Sequence, residues 1–421
     1  MYMSSLKHLY VQLKQYKESH KPLYFLSAMV FFWTIFDCIL SYAVPLILTE
    51  HGFSATQMGF ILGSSSIAGA AFDFLMCRFI KTVNFRRVFM FMFAISAVFP
   101  LILWQAKTIP IYILAMVVWG IYYDLYNFGL FDFVSCYTEK KEHAASFGIV
   151  QVFAYLAEII APLVASLLIV EYVDFKTFAG SAIFLLIGFL FLILLMVVTR
   201  KRKLVDLKCE DGYCAVKELP NSASQFRSWK KIGGYVFPAL FLTFFLYTVD
   251  AFFWTIGPIY SEGLGLDGFN GLLLAAYALP FILAGIFVSK LTSKYGKLKV
   301  AYVAFLIGSI LLSCFALVSA INPVFTIGLT FFVSMTIAIS YPSLNGSYAD
   351  YISEFPAIEK DVEGLEDFFT NIGYVIGPIL SGFLADTLGI EKAFSAIGAI
   401  GVIFALVLIK SALRKKKLNE K

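Results

Sequence analysis

The sequence predicts an all-α polytopic membrane protein: twelve transmembrane helices arranged as two pseudo-symmetric six-helix bundles. Three observations predict it: the composition, the spacing of apolar runs and an internal repeat. Of 421 residues, 60% are apolar and 14% charged, and the mean hydropathy is +0.82. A soluble domain carries about 45–50% apolar and about 25% charged residues. This composition excludes a soluble enzyme, a nucleic-acid binder and a disordered scaffold. The net charge of +5 is too small and too scattered for a polyanion binder.

A membrane helix needs roughly 20 apolar residues. Breaking the chain at charge and Gly/Pro clusters leaves six spans at 23–49, 56–80, 86–105, 110–136, 146–170 and 176–199. Six more follow at 234–260, 269–289, 298–320, 322–349, 364–386 and 391–412. The domain reading is then a leader over 1–22, an N-terminal bundle over 23–199, a linker over 200–231, a C-terminal bundle over 232–412 and a basic tail over 413–421. In the leader, Leu6, Leu9, Leu13 and Tyr16 recur at helical spacing among Lys7, Lys14 and Lys17. That reads as an amphipathic helix on the membrane surface or as a frayed polar leader, and not as a secretory signal.

Charge sidedness orients the chain. Only Lys107, Lys176 and Lys392 of the 33 Lys and Arg fall on the side opposite the termini. Basic loops stay in the cytoplasm, so both termini are expected there, in a plasma-membrane protein. No Lys or Arg lies in the middle of a span, and the charge within the spans is acidic. The six cysteines match no zinc-ligand spacing, so neither a metal nor a cofactor is expected.

The two halves repeat. Asp37 and Pro45 in span 1 match Asp250 and Pro258 in span 7. Asn127 and Asp132 in span 4 match Asn345 and Asp350 in span 10. Arg78 and Arg87 match Lys290 and Lys299, and Gly148 and Pro162 match Gly364 and Pro378. All four pairings share nearly one offset, close to half the chain, which is the mark of duplication.

On these features the chain resembles the major facilitator superfamily over essentially its whole length, and is closest in character to the drug/proton antiporter branch. That family carries a basic turn, G-x-x-x-D-[RK]-x-G-[RK]-[RK], after spans 2 and 8. Here the second copy is Ser293-Lys294-Tyr295-Gly296-Lys297, and the first runs from Lys81 to Arg86 and Arg87. Both lack the Asp, at Lys81 and Ser293, and in the first copy Asn84 replaces the Gly that follows it. The resemblance implies a cytoplasmic gate of Asp73, Arg78, Lys81, Arg86, Arg87 and Asp132 in one half and Ser293, Lys294, Gly296 and Asp350 in the other. Asp73, Asp132 or Asp350 would replace the missing acid as partner to Arg78, Arg86 or Lys294. A second family signature, G-x-x-x-G-P-x-x-G-G, is matched by Gly373, Gly377, Pro378 and Gly382 in span 11. Span 5 carries its Ala version in Ala157, Ala161, Pro162 and Ala165. Small residues at this spacing bring helices close. They form either the rocking contact between halves, which in span 5 is associated with antiporters, or generic packing.

Four acids fall near mid-span: Asp37, Asp124, Glu158 and Asp250. A carboxylate there costs at least about 2.5–3.5 kcal/mol and so faces a cavity, finds a partner or takes up a proton. Without cations nearby, these groups are candidates for proton carriers or for counter-charges to a cationic substrate. The alternative is that each bonds a neighbouring Tyr, Ser or Asn and only stabilises the bundle. Spacings of three or four group Trp33 with Asp37, Asp124 with Asn127, Gln151 and Tyr155 with Glu158, and Tyr247 with Asp250 and Trp254. A cavity polar set of Asn127, Gln151, Asn345 and Asn371 follows. Trp33, Tyr123, Tyr155, Tyr247, Trp254 and Tyr374 are its aromatic set, for stacking on an apolar cation or, alternatively, for packing and lipid contact.

The expected function is secondary active transport by rocker-switch alternating access. It is coupled to protons (or sodium) and exports an amphipathic cationic or drug-like small molecule. Import of a neutral nutrient with protons is the runner-up, and transport of a lipid or lysolipid is a third reading. A non-transporting membrane sensor is the remote alternative. No enzyme chemistry is expected, because no His, Ser/His set or metal-ligand cluster lies mid-span. The partners are the substrate, protons and the lipid bilayer, without nucleic acid, for a chain expected to work as a monomer.

Overall fold

A computed structural model describes residues 21–79, 84–138, 142–200, 222–266, 268–354 and 359–419; within these, the side chains of 77–79, 222–235, 354, 359–361, 363 and 411–419 are not described. Most of the leader, Lys81, most of the linker and the side chains of the basic tail therefore lie outside the described residues, as does the side chain of Arg78.

The described elements are all helices. The first half comprises α1 (Lys21–Glu50), α2 (Ala55–Phe79), α3 (Phe85–Gln105), α4 (Ile109–Tyr137), α5 (His143–Leu168) and α6 (Phe175–Thr199). The second comprises α7 (Ser222–Glu262), α8 (Leu272–Tyr295), α9 (Lys297–Ser313, followed by the one-turn helix Phe315–Ser319), α10 (Pro323–Glu354), α11 (Glu359–Leu388) and α12 (Ile390–Asn419). Eleven described helices are long and apolar enough to cross a membrane. The expected ninth span is the exception, because it breaks at Cys314. There the Ala316 N–H leaves the helical ladder and donates to Ser395 Oγ of α12 at 2.9 Å. A tertiary acceptor thus interrupts an otherwise apolar run.

Local chemistry sets the helix ends. Asn84 caps α3 through the Arg86 N–H, and Asp174 caps α6 through the Lys176 N–H. Gly296 turns α8 into α9 with φ of 86°, a left-handed conformation that glycine adopts without strain. Consecutive helices alternate in direction. We call the end where α1 starts the terminal end, and the other the far end.

α1 and α7 form the centre, with 72% and 67% of their most apolar windows buried, against 28% for α6. α1 packs on α5, α6 and α7, and α7 packs on α11. The outer helices expose Ile183, Leu186, Leu190 and Val197 of α6 and Ile403, Leu406 and Val407 of α12. Such a surface is stable only against lipid.

The two halves meet chiefly along α2–α11 and α5–α8. Glycines permit this approach. A Cβ on Gly59 would lie 2.1 Å from the Pro378 carbonyl oxygen, and one on Gly382 would lie 1.9 Å from that of Ala55. Gly271 comes equally close to Pro162. Gly373 and Gly377 instead lie against Tyr247 and Ala251 of α7, so the span-11 motif serves two neighbours. In α5, Ala157, Ala161 and Ala165 are fully buried as one stripe.

Candidate functional site

A cavity of about 250 Å³ lies in the first half, lined by Trp33, Asp37, Asn127, Gln151 and Glu158 and, toward the terminal end, by Phe131 and Phe147. α1, α4 and α5 supply all of these. Asp37 is 6% exposed and accepts hydrogen bonds from Trp119 Nε1 at 3.0 Å and Tyr122 Oη at 2.5 Å, both on α4. Trp33 sits one turn below, stacks on Tyr126 at 4.8 Å and donates its Nε1 to Ser96 Oγ at 3.1 Å. Tyr123 also lines the cavity.

Asp250 occupies the matching place in α7. It accepts from Tyr277 Oη of α8 at 2.6 Å and from Tyr374 Oη of α11 at 2.8 Å. Tyr247 packs on Tyr341 and Tyr374 with ring centres 5.0 and 5.2 Å apart. Tyr155 of α5 meets Phe281 of α8 at 5.4 Å, across the seam between halves.

Glu158 differs from both. Among the described residues no hydrogen-bond donor is found for its carboxyl, and the charges of Asp250 and Asp37 both act on it. Asp37, which lines the same cavity, and Asp250 are by contrast each held by two donors. What such an arrangement can do is accept a proton or a cation at the unheld group.

Asp124 departs from the expected grouping. Its Oδ2 is buried with no hydrogen-bond partner among the described residues and presses against Gly69 of α2, where a Cβ would come within 2.8 Å. Its electrostatic neighbour is Asp73 of α2. Three residues turn a helix by about 300°. The remaining rotation of about 60° is enough here for Asn127 to line the cavity while Asp124 enters the α2–α4 seam. The rest of the polar set divides. Gln151 lines the cavity, Asn345 is exposed on α10, and Asn371 donates to the Asp367 carbonyl of its own helix at 3.0 Å. Trp254 is half-buried against the core. The residues the sequence reading missed are the donors Trp119, Tyr122 and Tyr277. Trp119 and Tyr122 are three apart on span 4, a spacing that could have marked them as one unit.

Among the described residues, most of the expected gate residues contact their own halves. Asp132 accepts the Phe85 N–H at 2.7 Å, which caps α3. Asp350 pairs with Lys297 at 2.5 Å, and not with Lys294, which lies over the Tyr295 ring. The reason is register: Lys297 opens α9 as Phe85 opens α3, so each acid, near the end of α4 or α10, meets the start of the helix just before its own. Arg86 donates to Tyr137 and Thr199, Ser293 to the Lys290 carbonyl, and Arg87 is exposed. Asp73 feels the charge of Asp367 across the seam.

A paired-half helical bundle with a polar cavity beside its seam is the architecture in which membrane transporters are built. A model described as Major Facilitator Superfamily matches residues 23–357, and the chain belongs to that superfamily. That superfamily is one of membrane transporters and not of enzymes, and eleven described helices of this chain are long and apolar enough to cross a membrane. Over 158 residues it is 32% identical to the quinolone resistance protein NorA of Staphylococcus aureus strains Mu50 and N315, covering 36% of this chain and 39% of the relative. The chain's match thus spans about two fifths of the length of these relatives. Among solved structures, the nucleoside transporter NupG is similar with a TM-score of 0.71 at 15% identity, over 93% of this chain and 98% of that one. A bacterial homologue of the human lysosomal transporter Spinster gives a TM-score of 0.71 at 13% identity, over 93% and 97%. The E. coli fucose:proton symporter FucP gives 0.57 at 16%, over 93% and 99%.

Proposed function

We propose that this protein is a proton-coupled exporter of amphipathic organic cations, in which protons and substrate compete for Glu158. The observation that carries this reading is the contrast among three acids. Asp37 and Asp250 each accept two aromatic hydrogen bonds, while Glu158 lines the cavity with no donor found for it among the described residues. A carboxylate satisfied by two donors is a poor place for an exchangeable proton. An unsatisfied one in the same field exchanges it readily. Stacked rings of Trp33 and Tyr126 beside it suit an apolar cation. The stretch related to a quinolone resistance protein supports the same direction.

In this reading residues 23–199 and 232–412 are the rocking units, and both termini lie in the cytoplasm of a plasma-membrane monomer. The basic residues flanking the termini support that orientation. The cavity reaches from Asp37 and Glu158 toward Phe131 and Phe147, which are near the terminal end. Its opening would then be cytoplasmic.

A second reading is proton-coupled import of a neutral solute. Asn127 and Gln151 line the same cavity and are suited to a polar substrate, and two structural neighbours are named as a nucleoside transporter and a fucose:proton symporter. Reconstitution separates the two. With a pH gradient imposed on proteoliposomes, export drives a fluorescent lipophilic cation against the proton flow, and Glu158→Gln removes the gradient-driven component. Cotransport of a nucleoside or sugar with protons, without cation movement, would overturn the export reading.

A further inference from the structure

Three sets of hydrogen bonds join the halves at the far end, and all run in one direction. Ala55 N, Thr56 N and Thr56 Oγ1 of α2 donate to the Asp386 carboxylate of α11 at 2.9, 2.8 and 2.6 Å. Tyr42 Oη of α1 donates to Glu262 Oε1 of α7 at 2.6 Å. Ser166 Oγ of α5 donates to the Gly268 carbonyl of the α7–α8 loop at 3.0 Å. The first half supplies every one of these donors, and the second supplies every acceptor.

The Asp386 contact is a helix cap made in trans. α2 begins with its own capping pair, in which the Gln57 N–H donates to Ser54 Oγ at 3.2 Å and Ser54 N–H donates back to Gln57 Oε1 at 3.0 Å. That pair leaves the Ala55 and Thr56 amides without a local acceptor, and Asp386 takes both. A carboxylate at a helix N-terminus is favoured by the dipole as well as by the hydrogen bonds. Beneath it, Gly382 and Gly59 let the α2 and α11 backbones touch, so the cap sits on a close backbone contact. Glu262 is held in its turn by Asn270 Nδ2 at 2.6 Å, which fixes the acceptor that Tyr42 meets.

We propose that Asp386 is the latch of the far-end seal. By capping α2 from the opposite half, it holds the far end closed and sets the population of the state open at the terminal end. Opening the far end requires the α2 amides to exchange this carboxylate for water. The device depends on the two halves moving as rigid units, and not on which substrate or ion the cavity takes.

Electron–electron distance measurements test it in the full-length protein in lipid nanodiscs, with the six native cysteines replaced. One spin-label pair, Lys107→Cys with Ile321→Cys, spans the far-end loops of the two halves. A second, Arg87→Cys with Lys299→Cys, spans the terminal end. Asp386→Ala is expected to shift the populations about tenfold toward far-end-open, the size of losing a good cap. The far-end distance lengthens and the terminal-end distance shortens together. Thr56→Val, which removes only the hydroxyl donor, is expected to give the same coupled change at smaller amplitude and covers the case in which Asp386→Ala does not fold. Unchanged distances in both variants overturn the proposal. So does lengthening at the far end alone, which marks local fraying without rocking. Because no substrate is present, failure here is distinct from failure of cation transport in proteoliposomes.

Discussion

Asp37 and Asp250 hold equivalent places in the repeat, yet their surroundings differ in a way that bears on transport. Both donors to Asp37, Trp119 and Tyr122, come from α4, a helix of the same half. The donors to Asp250 come from two helices, Tyr277 on α8 and Tyr374 on α11. Those two helices are also the ones that meet α5 and α2 of the other half. Asp37 is therefore tied within one rigid unit, while the setting of Asp250 is tied to the seam. A duplicated residue kept its position and hydrogen-bonding style but exchanged a static support for one that a rocking motion can alter. Glu158, on α5 at the same seam, receives the fields of both acids.

The largest expected effect tests the acid that receives both fields. Glu158→Gln should lower pH-gradient-driven transport by about 100-fold or more, the scale of removing an essential proton-transfer group, while leaving the purified protein's thermal unfolding near that of wild type. Next, Asp250→Asn should reduce the transport rate by about tenfold. Asp37→Asn should leave the transport rate nearly unchanged, while both substitutions cost a similar ~1–3 kcal/mol of stability by leaving two donors poorly matched. Equal transport defects in the two variants would erase the distinction between static and seam-linked support. The smallest effects come from the donors. Tyr122→Phe should cost about 1 kcal/mol in any state. Tyr374→Phe should cost a similar amount but also change the distance populations between the two ends.

Much of the fold was legible because each feature is local. Apolar run length marks the spans, and the long polar gap over 200–231 and the repeated Asp–Pro spacings mark the two halves. Helical faces grouped four acids, of which Asp37 and Glu158 line the cavity while Asp250 does not. The fate of Asp124 was not legible, because it depends on how far α4 is rotated against α2, and Gly69 makes the space it fills. The break at Cys314 was hidden for a similar reason: the acceptor that causes it, Ser395, is distant in sequence. Tyr374 was legible as a cavity aromatic for stacking, but its hydroxyl is engaged by Asp250. Asp386 gave no signal, since an acid near a helix end is ordinary until the opposing amides are seen.

Proton release on substrate binding is the most direct measurement of the central claim. A lipophilic cation such as tetraphenylphosphonium is added to purified protein in weakly buffered detergent solution, with a pH dye as readout. The account predicts that wild-type protein releases protons in proportion to the cation bound and that Glu158→Gln releases none. Equal release from both proteins, or saturable binding to wild type without release, would contradict it.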